Sequence, residues 1–226
     1  MEPMCGRFVL FTTGESLLER VEELPGVGEV RAPDATPPPR YNIAPTMPVA
    51  LVRVGGERAQ LDAARWALVP SWKSDASGPP LFNARAETVR EKPSFRAAFA
   101  RRRGVIVMDG YYEWHVGDDG AKQPYFVHLP DGELLWAAAL WDTGGGRLSC
   151  TMVTTESSDP LRWLHHRMPR LLAPGEVRRW CEGNADDAAA LLHPAPAKLR
   201  QRVQWRPADA AVGQVRNDYP ELIAAP

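Results

Sequence analysis

Cysteine is scarce: Cys5, Cys150 and Cys181 are the only three in 226 residues, odd in number and never in Cys-x-x-Cys spacing. That pattern argues against a disulfide framework and against a zinc cluster, and it fits a reducing, cytoplasmic setting. Long apolar runs are missing too, and none approaches the ~18 residues of a membrane-spanning helix. The N-terminus lacks the basic-then-apolar order of a secretion signal, so neither a membrane partner nor export is expected. The net charge is only −1, so any grip on nucleic acid must come from a local basic groove. No internal repeat, low-complexity tract or clear linker divides the chain.

What is present is an ordinary globular make-up. Hydrophobic residues account for 44% and charged residues for 24%, enough to bury a substantial core. Tryptophan is frequent, with eight residues, several beside Pro, Gly or polar neighbours where stacking on a ligand competes with core packing. Leu17, Leu18, Val21 and Leu24 recur at helical spacing and predict a helix over 14–24. Residues 25–40, rich in Pro and Gly, predict an irregular loop. Strands are expected over 5–11, 49–54 and 59–68, the last two joined at Gly55-Gly56. A helix over 94–103 ends in Arg101 to Arg103, which suit a helix terminus as well as a phosphate. A dense run of strands follows at 105–108, 111–115, 124–128, 134–141 and 149–155. Then come a short helix over 157–164, a strand over 168–172, helices over 174–181 and 186–192, and a strand near 201–206. The whole predicts one α+β domain over 5–223, with a curved, barrel-like, mostly antiparallel β core and peripheral helices.

The opening Met4-Cys5-Gly6-Arg7-Phe8 carries the most distinctive chemistry. A cysteine that becomes residue one presents a free α-amine and a thiol on adjacent carbons. An aldehyde can form an imine with the amine. The thiol can then close onto the imine carbon as a five-membered thiazolidine, an intramolecular step with a high effective concentration. An amine near pKa ~8 and a thiol near ~8.5 are both partly reactive at neutral pH. Met1-Glu2-Pro3 precede this stretch, so Met4 as the working start, or a leader clipped before Cys5, would expose the amine. The same residues fit a small buried cysteine at the head of a strand, and on their own they favour that reading.

Further along, Asn83 and Arg85 lie two apart in an extended stretch and so share a face. Glu113 sits between Tyr112 and Trp114, where a carboxylate is either a surface residue or an acid of raised pKa. His165 opens His165-His166-Arg167-Met168-Pro169. Taken singly, each fits a solvated or hydrogen-bonded structural role, and Arg7, Arg85 and Arg167 fit a solvated surface as readily as a phosphate.

Resemblance to a known family breaks the tie. Cys5-Gly6-Arg7-Phe8, Tyr41-Asn42-Ile43-Ala44-Pro45, Arg65 to Trp72, Asn83-Ala84-Arg85-Ala86-Glu87, Gly110 to Trp114 and His165 to Pro169 follow one another at characteristic spacing. In this the chain resembles the SOS response-associated peptidase (SRAP) family of abasic-site processing proteins, from Cys5 to about Ile223.

The resemblance implies a protein that grips single-stranded DNA and reacts with an abasic site, whose ring-opened sugar is an aldehyde. Cys5 would form a covalent thiazolidine crosslink. Asn83 would position the terminal residue and the sugar, Glu113 would act as acid and base, and His165 would assist ring opening and proton transfer. Thr154 would line the same pocket. Arg7, Arg85 and Arg167 would hold phosphates, and Asn42, Pro45, Trp72 and Trp114 would line the groove. Some lyase capacity and self-processing of the N-terminus are implied as well. A monomer is expected, nucleoid-associated when bound to DNA, with no metal and no cofactor. Two other readings stand beside this one: a cysteine peptidase with Cys5 as nucleophile and His165 as base, and a non-covalent reader of damaged or modified DNA.

Overall fold

Alternation along the first strand sets the architecture. The computed structural model describes residues 6–224. In β1 (Arg7–Leu10), Phe8 and Leu10 enter the main core, whereas Val9 joins a second, smaller apolar cluster with Tyr112, Phe126, Val212 and Leu222. The sheet that β1 belongs to is therefore covered on both faces. Its order is β14-β9-β8-β1-β3, five antiparallel strands: β3 (Arg40–Ile43), β8 (Gly110–Val116), β9 (Lys122–His128) and β14 (Gln204–Pro207) join β1. One face packs on a larger sheet, with Phe8 edge-on to Trp66 at 5.0 Å. The other is covered by the C-terminal segment that carries Val212 and Leu222.

The larger sheet has nine strands and is strongly curved. Its path runs β12-β11-β10-β7-β4-β5-β2, with β6 and β13 pairing to one side of it. The central strands are β4 (Pro48–Gly55), β5 (Arg58–Trp66), β7 (Arg103–Met108), β10 (Leu135–Asp142) and β11 (Ser149–Glu156). The start of β11 also meets the end of β5 in parallel, at Ser149 with Arg65 and Cys150 with Trp66. The curved sheet thus returns on itself at one end, which gives the barrel-like form expected. Every residue of β7 is buried, matching its unbroken Val105-Ile106-Val107-Met108 run.

Several elements differ from expectation, each for a local reason. Residues 157–164 form no helix. Leu161 and Leu164 are buried through two successive tight turns, Leu161 N–H to Ser158 O and Leu164 N–H to Leu161 O. Pro160 supplies no amide donor and steers Asp159 away from helical geometry. The helix expected over 94–103 is only α2 (Arg96–Arg101), because Arg103 already belongs to β7. Its buried guanidinium donates to the carbonyls of Phe99, Trp180 and Gly183, tying α2 to the end of α3 (Pro174–Glu182). The strand over 168–172 is two, β12 (Arg167–Pro169) on β11 and β13 (Leu171–Leu172) on β10. The loop over 25–40 holds the three-residue strand β2 (Glu29–Arg31), parallel to β5. Helix α1 (Gly14–Glu22) buries Leu17 and Val21 as predicted, and the short helices α4 (Ala185–Ala189) and α5 (Ala197–Arg200) lie near the C-terminal end of the chain. Among the described residues no helix is long and apolar enough to cross a membrane.

Two glycines are demanded by close approach. A methyl on Gly110 would lie 2.4 Å from the Phe126 ring, so β8 and β9 pack tightly only with glycine there. At Gly144 it would lie 2.2 Å from the Pro70 carbonyl, which fixes the loop after β5 against the end of β10.

Candidate active site

Strand β11 organises the site. Along one edge it pairs first with β5 and then with β6 (Asn83–Arg85), in parallel, setting Asn83 beside Met152 and Arg85 beside Thr154. Along the other it pairs with β10 and then β12, setting Arg167 beside Glu156. A loop over 157–166 joins β11 to β12 and brings His165 over the five-stranded sheet. Ser157 N–H bonds to the His166 carbonyl and closes the loop's base.

Strand β8 supplies the facing carboxylate. Arg7 pairs with Tyr112, so Glu113 stands one residue past the start of β1. Glu113 is only 3% exposed. Its Oε2 lies 4.0 Å from His165 Nδ1, and its Oε1 accepts from Trp114 N–H at 3.3 Å. The Arg167 amide donates to the same His165 nitrogen at 3.0 Å, while the Arg167 carbonyl is 3.1 Å away. Nδ1 thus has an amide donor for its unprotonated form and acceptors for its protonated form. A buried carboxyl beside an imidazole that is supported in either state is the arrangement a proton-transfer site needs.

These groups open into a cleft of about 470 Å³, lined by Gly6, Arg7, Pro45, Pro80, Phe82, Glu113, Trp114, Lys122, His165 and Gly213. Arg7 is half-buried, and burial pushes its guanidinium pKa down. Its Nε has no hydrogen-bond partner among the described residues. Among the described residues other than its chain neighbours, a methyl on Gly6 would come no nearer than 4.0 Å, at Phe82, so their packing does not require glycine there.

A second cleft, of about 590 Å³, lies across the His165 loop, lined by Arg85, Glu87, Thr88, Glu156, Ser157, Arg162, His166 and Arg167. Here Arg167 is buried and donates two parallel bonds to the Glu87 carboxylate, at 2.7 and 3.0 Å, and also donates to Thr154 O and Oγ1. Burial pushes the Glu87 carboxyl up, but the bonds from Arg167, a bond from its own backbone amide and the charges of Arg167 and Arg85 together hold the group below its ordinary value.

The structure therefore gathers Arg7, Pro45, Glu113, Trp114 and His165 around one cleft and Arg85 and Arg167 around its neighbour. Asn83 is at the head of β6, just after the cleft-lining Phe82. It does not bring Asn42 or Thr154 to the surface. Asn42, read as a groove residue, is 0% exposed, and its Nδ2 donates to the carbonyls of Val212, Gln214 and Asn217, where it clasps the C-terminal segment. Thr154 is buried under Arg167. Trp72 is 66% exposed on the turn after β5 and stands outside the lining of either cleft. Cys5 lies outside the described residues; its neighbour Gly6 lines the cleft.

Sequence reasoning missed Lys122, Phe82 and Glu87. Lys122 opens β9, opposite Val116, and only the strand pairing reveals that it faces the cleft. The thiols of Cys150 and Cys181 are buried and poorly suited to act as nucleophiles. Burial pushes Cys150 far up, and burial pushes Cys181 up to about 12 despite a backbone hydrogen bond and the nearby Arg103.

The chain is similar to known proteins along nearly its whole length. Abasic site processing protein YoqW of Bacillus subtilis (strain 168) is 32% identical, over 97% of this chain and 99% of that protein. Abasic site processing protein YedK of Escherichia coli (strain K12) is also 32% identical, over 97% of this chain and 99% of its own length. A crystal structure of a Bacteroides thetaiotaomicron protein shares the fold, with a TM-score of 0.76 at 19% identity over 98% of this chain and 100% of that one. Residues 4–215 match the SOS response associated peptidase (SRAP) family, and the chain belongs to that family.

Proposed function

We propose that this protein processes abasic sites in single-stranded DNA by trapping the ring-opened sugar covalently on Cys5. The observation that carries this reading is the His165–Glu113 pair, 4.0 Å apart in a cleft walled by Gly6 and Arg7, the residues that follow Cys5 in the chain. Two relatives aligned along nearly their whole length bear the name abasic site processing protein, which supports the substrate class.

In this reading the residues before Cys5 are removed, and the freed amine attacks the aldehyde carbon. The carbinolamine loses water, with Glu113 and His165 delivering and accepting the protons, and the resulting imine is attacked by the Cys5 thiol. Thiazolidine closure moves the thiol proton to the ring nitrogen, so the balance from aldehyde and aminothiol is one water released. Asn83 orients the terminal residue and the sugar. The flanking phosphates run past Arg7, Arg85 and Arg167, and Trp114 and Pro45 meet the unpaired bases, where each aromatic stack is worth about 1–3 kcal/mol. Imine-stage strand incision, and self-cleavage ahead of Cys5, belong to the same proposal.

The test is incubation with an abasic single strand followed by a denaturing gel. A slow-migrating adduct that Cys5→Ala abolishes is expected. No adduct, or one undiminished by Cys5→Ala, rejects the proposal. A cysteine peptidase without DNA chemistry would instead turn over peptides and leave abasic strands unmodified, and a non-covalent reader would release its DNA on boiling in detergent.

A further inference from the structure

Trp163 lies two residues before His165 and belongs to none of the groups above. Its side chain is 42% exposed, yet three aromatic rings hold it in place. Tyr125 meets it edge-on at 5.0 Å, His115 lies at 5.1 Å and Trp205 at 6.1 Å. The His115 Nδ1–H donates to the Trp163 carbonyl at 3.1 Å, so backbone and ring are both fastened. The anchors come from three adjacent strands, β8, β9 and β14. His115 is two residues from Glu113 on β8 and hence on the same face, and Tyr125 is the direct cross-strand partner of Glu113.

The loop over 157–166 has several other anchors, among them the bond from Arg200 Nη1–H to the Asp159 carbonyl at 2.9 Å. Leu161 and Leu164 sink into the core with the larger sheet, and the Ser157–His166 bond closes its base. Trp163 adds an anchor directly on β8 and β9, because its ring sits on the strand pair that carries Glu113. The two members of the proton-transfer pair come from different sheets, and the Trp163 contact is where those sheets are locked beside them.

We infer that Trp163 is a positioning residue, which sets the distance between His165 and Glu113 by clamping the His165 loop onto β8 and β9. This rests on the proposed function only for its effect on rate; the clamp itself is a statement about His165. Moving a reacting group by about 1 Å can cost on the order of 100-fold in rate, so a fall of roughly 10-fold or more is expected on removing the ring.

The test combines histidine ring NMR with adduct kinetics on full-length protein, comparing wild type, Trp163→Ala, Trp163→Phe and Trp205→Ala. In Trp163→Ala the His165 ring resonances, assigned with His165→Ala, should move toward those of a free imidazole and broaden. The adduct rate at saturating abasic strand should fall while the Kd for an unmodified strand changes less than about twofold, and Trp163→Phe should recover most of the rate. In a His165→Ala background the Trp163→Ala change should have no further effect on rate. Unchanged His165 resonances in folded Trp163→Ala protein would overturn the inference. So would equal losses of DNA affinity in Trp163→Ala and Trp205→Ala with the saturated rate intact, which would mark the two rings as a stacking shelf for bases. A wild type that forms no adduct sinks the proposed function instead, and the His165 resonances then decide the clamp alone.

Discussion

His165 Nδ1 receives the amide hydrogen of Arg167 at 3.0 Å while facing Glu113 Oε2 at 4.0 Å. The amide donor favours the tautomer with Nδ1 unprotonated, and the carboxylate offers a partner once a proton arrives there. The pair can therefore hold a proton in transit without either group losing all its partners. Glu113→Gln and His165→Ala should each slow adduct formation at saturating DNA by about 10²- to 10⁴-fold. Because they act on the same proton, the double variant should be little slower than the slower single one. Losses that multiply would show that the two act separately.

Gly6 lines the cleft, and among the described residues beyond its chain neighbours nothing demands its lack of a side chain. A methyl there would meet Phe82 at an ordinary 4.0 Å. Gly6→Ala should keep the wild-type melting temperature, since no core packing changes, and should slow adduct formation by narrowing the space next to Cys5. An equal loss of stability and rate would assign Gly6 a purely structural role.

Both terminal nitrogens of Arg167 already donate to the Glu87 carboxylate before any DNA arrives. Because Arg167 helps hold the Glu87 pKa below its ordinary value, the pair's contribution to stability is complete above the ordinary carboxylate range and is lost as pH falls through the depressed one. Glu87→Gln removes that dependence and leaves one more uncompensated cation beside the second cleft. Affinity for an unmodified single strand should rise at low salt, with the slope of log K against log salt steeper by roughly 0.7 for each phosphate gained. Anisotropy titrations between about 50 and 200 mM salt measure this. An unchanged slope would mean that no phosphate reaches Arg167.

His128 offers a separate pH signature remote from the cleft. Burial pushes its pKa down and Arg206 adds to the shift, while the bond from its Nδ1–H to the Leu129 carbonyl opposes it. An unfolded chain therefore takes up a proton near pH 6.5 that the folded protein still refuses. Stability should fall as pH drops below about 6.5 and level off above it. Thermal melts from pH 5 to 8 should show this dependence weakened in His128→Gln. Identical profiles would remove His128 from the account.

Sequence reasoning reached the β core because its signals are local. The unbroken apolar run of β7, the Gly55-Gly56 hairpin and the Leu17/Val21 stripe each lie within one element. It failed where partners are distant. Asn42 sits in a motif that reads as a groove, yet its three acceptor carbonyls lie at least 170 residues further on. Arg103 reads as a helix-end charge, and it does serve carbonyls at helix ends, but from inside a buried strand. In place of the expected helix over 157–164, two tight turns bury Leu161 and Leu164. Glu113 and His165 were recognisable by motif order alone. Their 4.0 Å approach is a product of two sheets meeting, and no periodicity encodes it.

The central claim is tested most directly by the intact mass of the protein after reaction with a short abasic single strand. The account predicts a species that begins at Cys5 and exceeds the free protein by the mass of the strand less one water, unaffected by borohydride because the closed ring holds no imine. A protein that keeps Met1 to Met4, or that shows no covalent gain in mass, would contradict it.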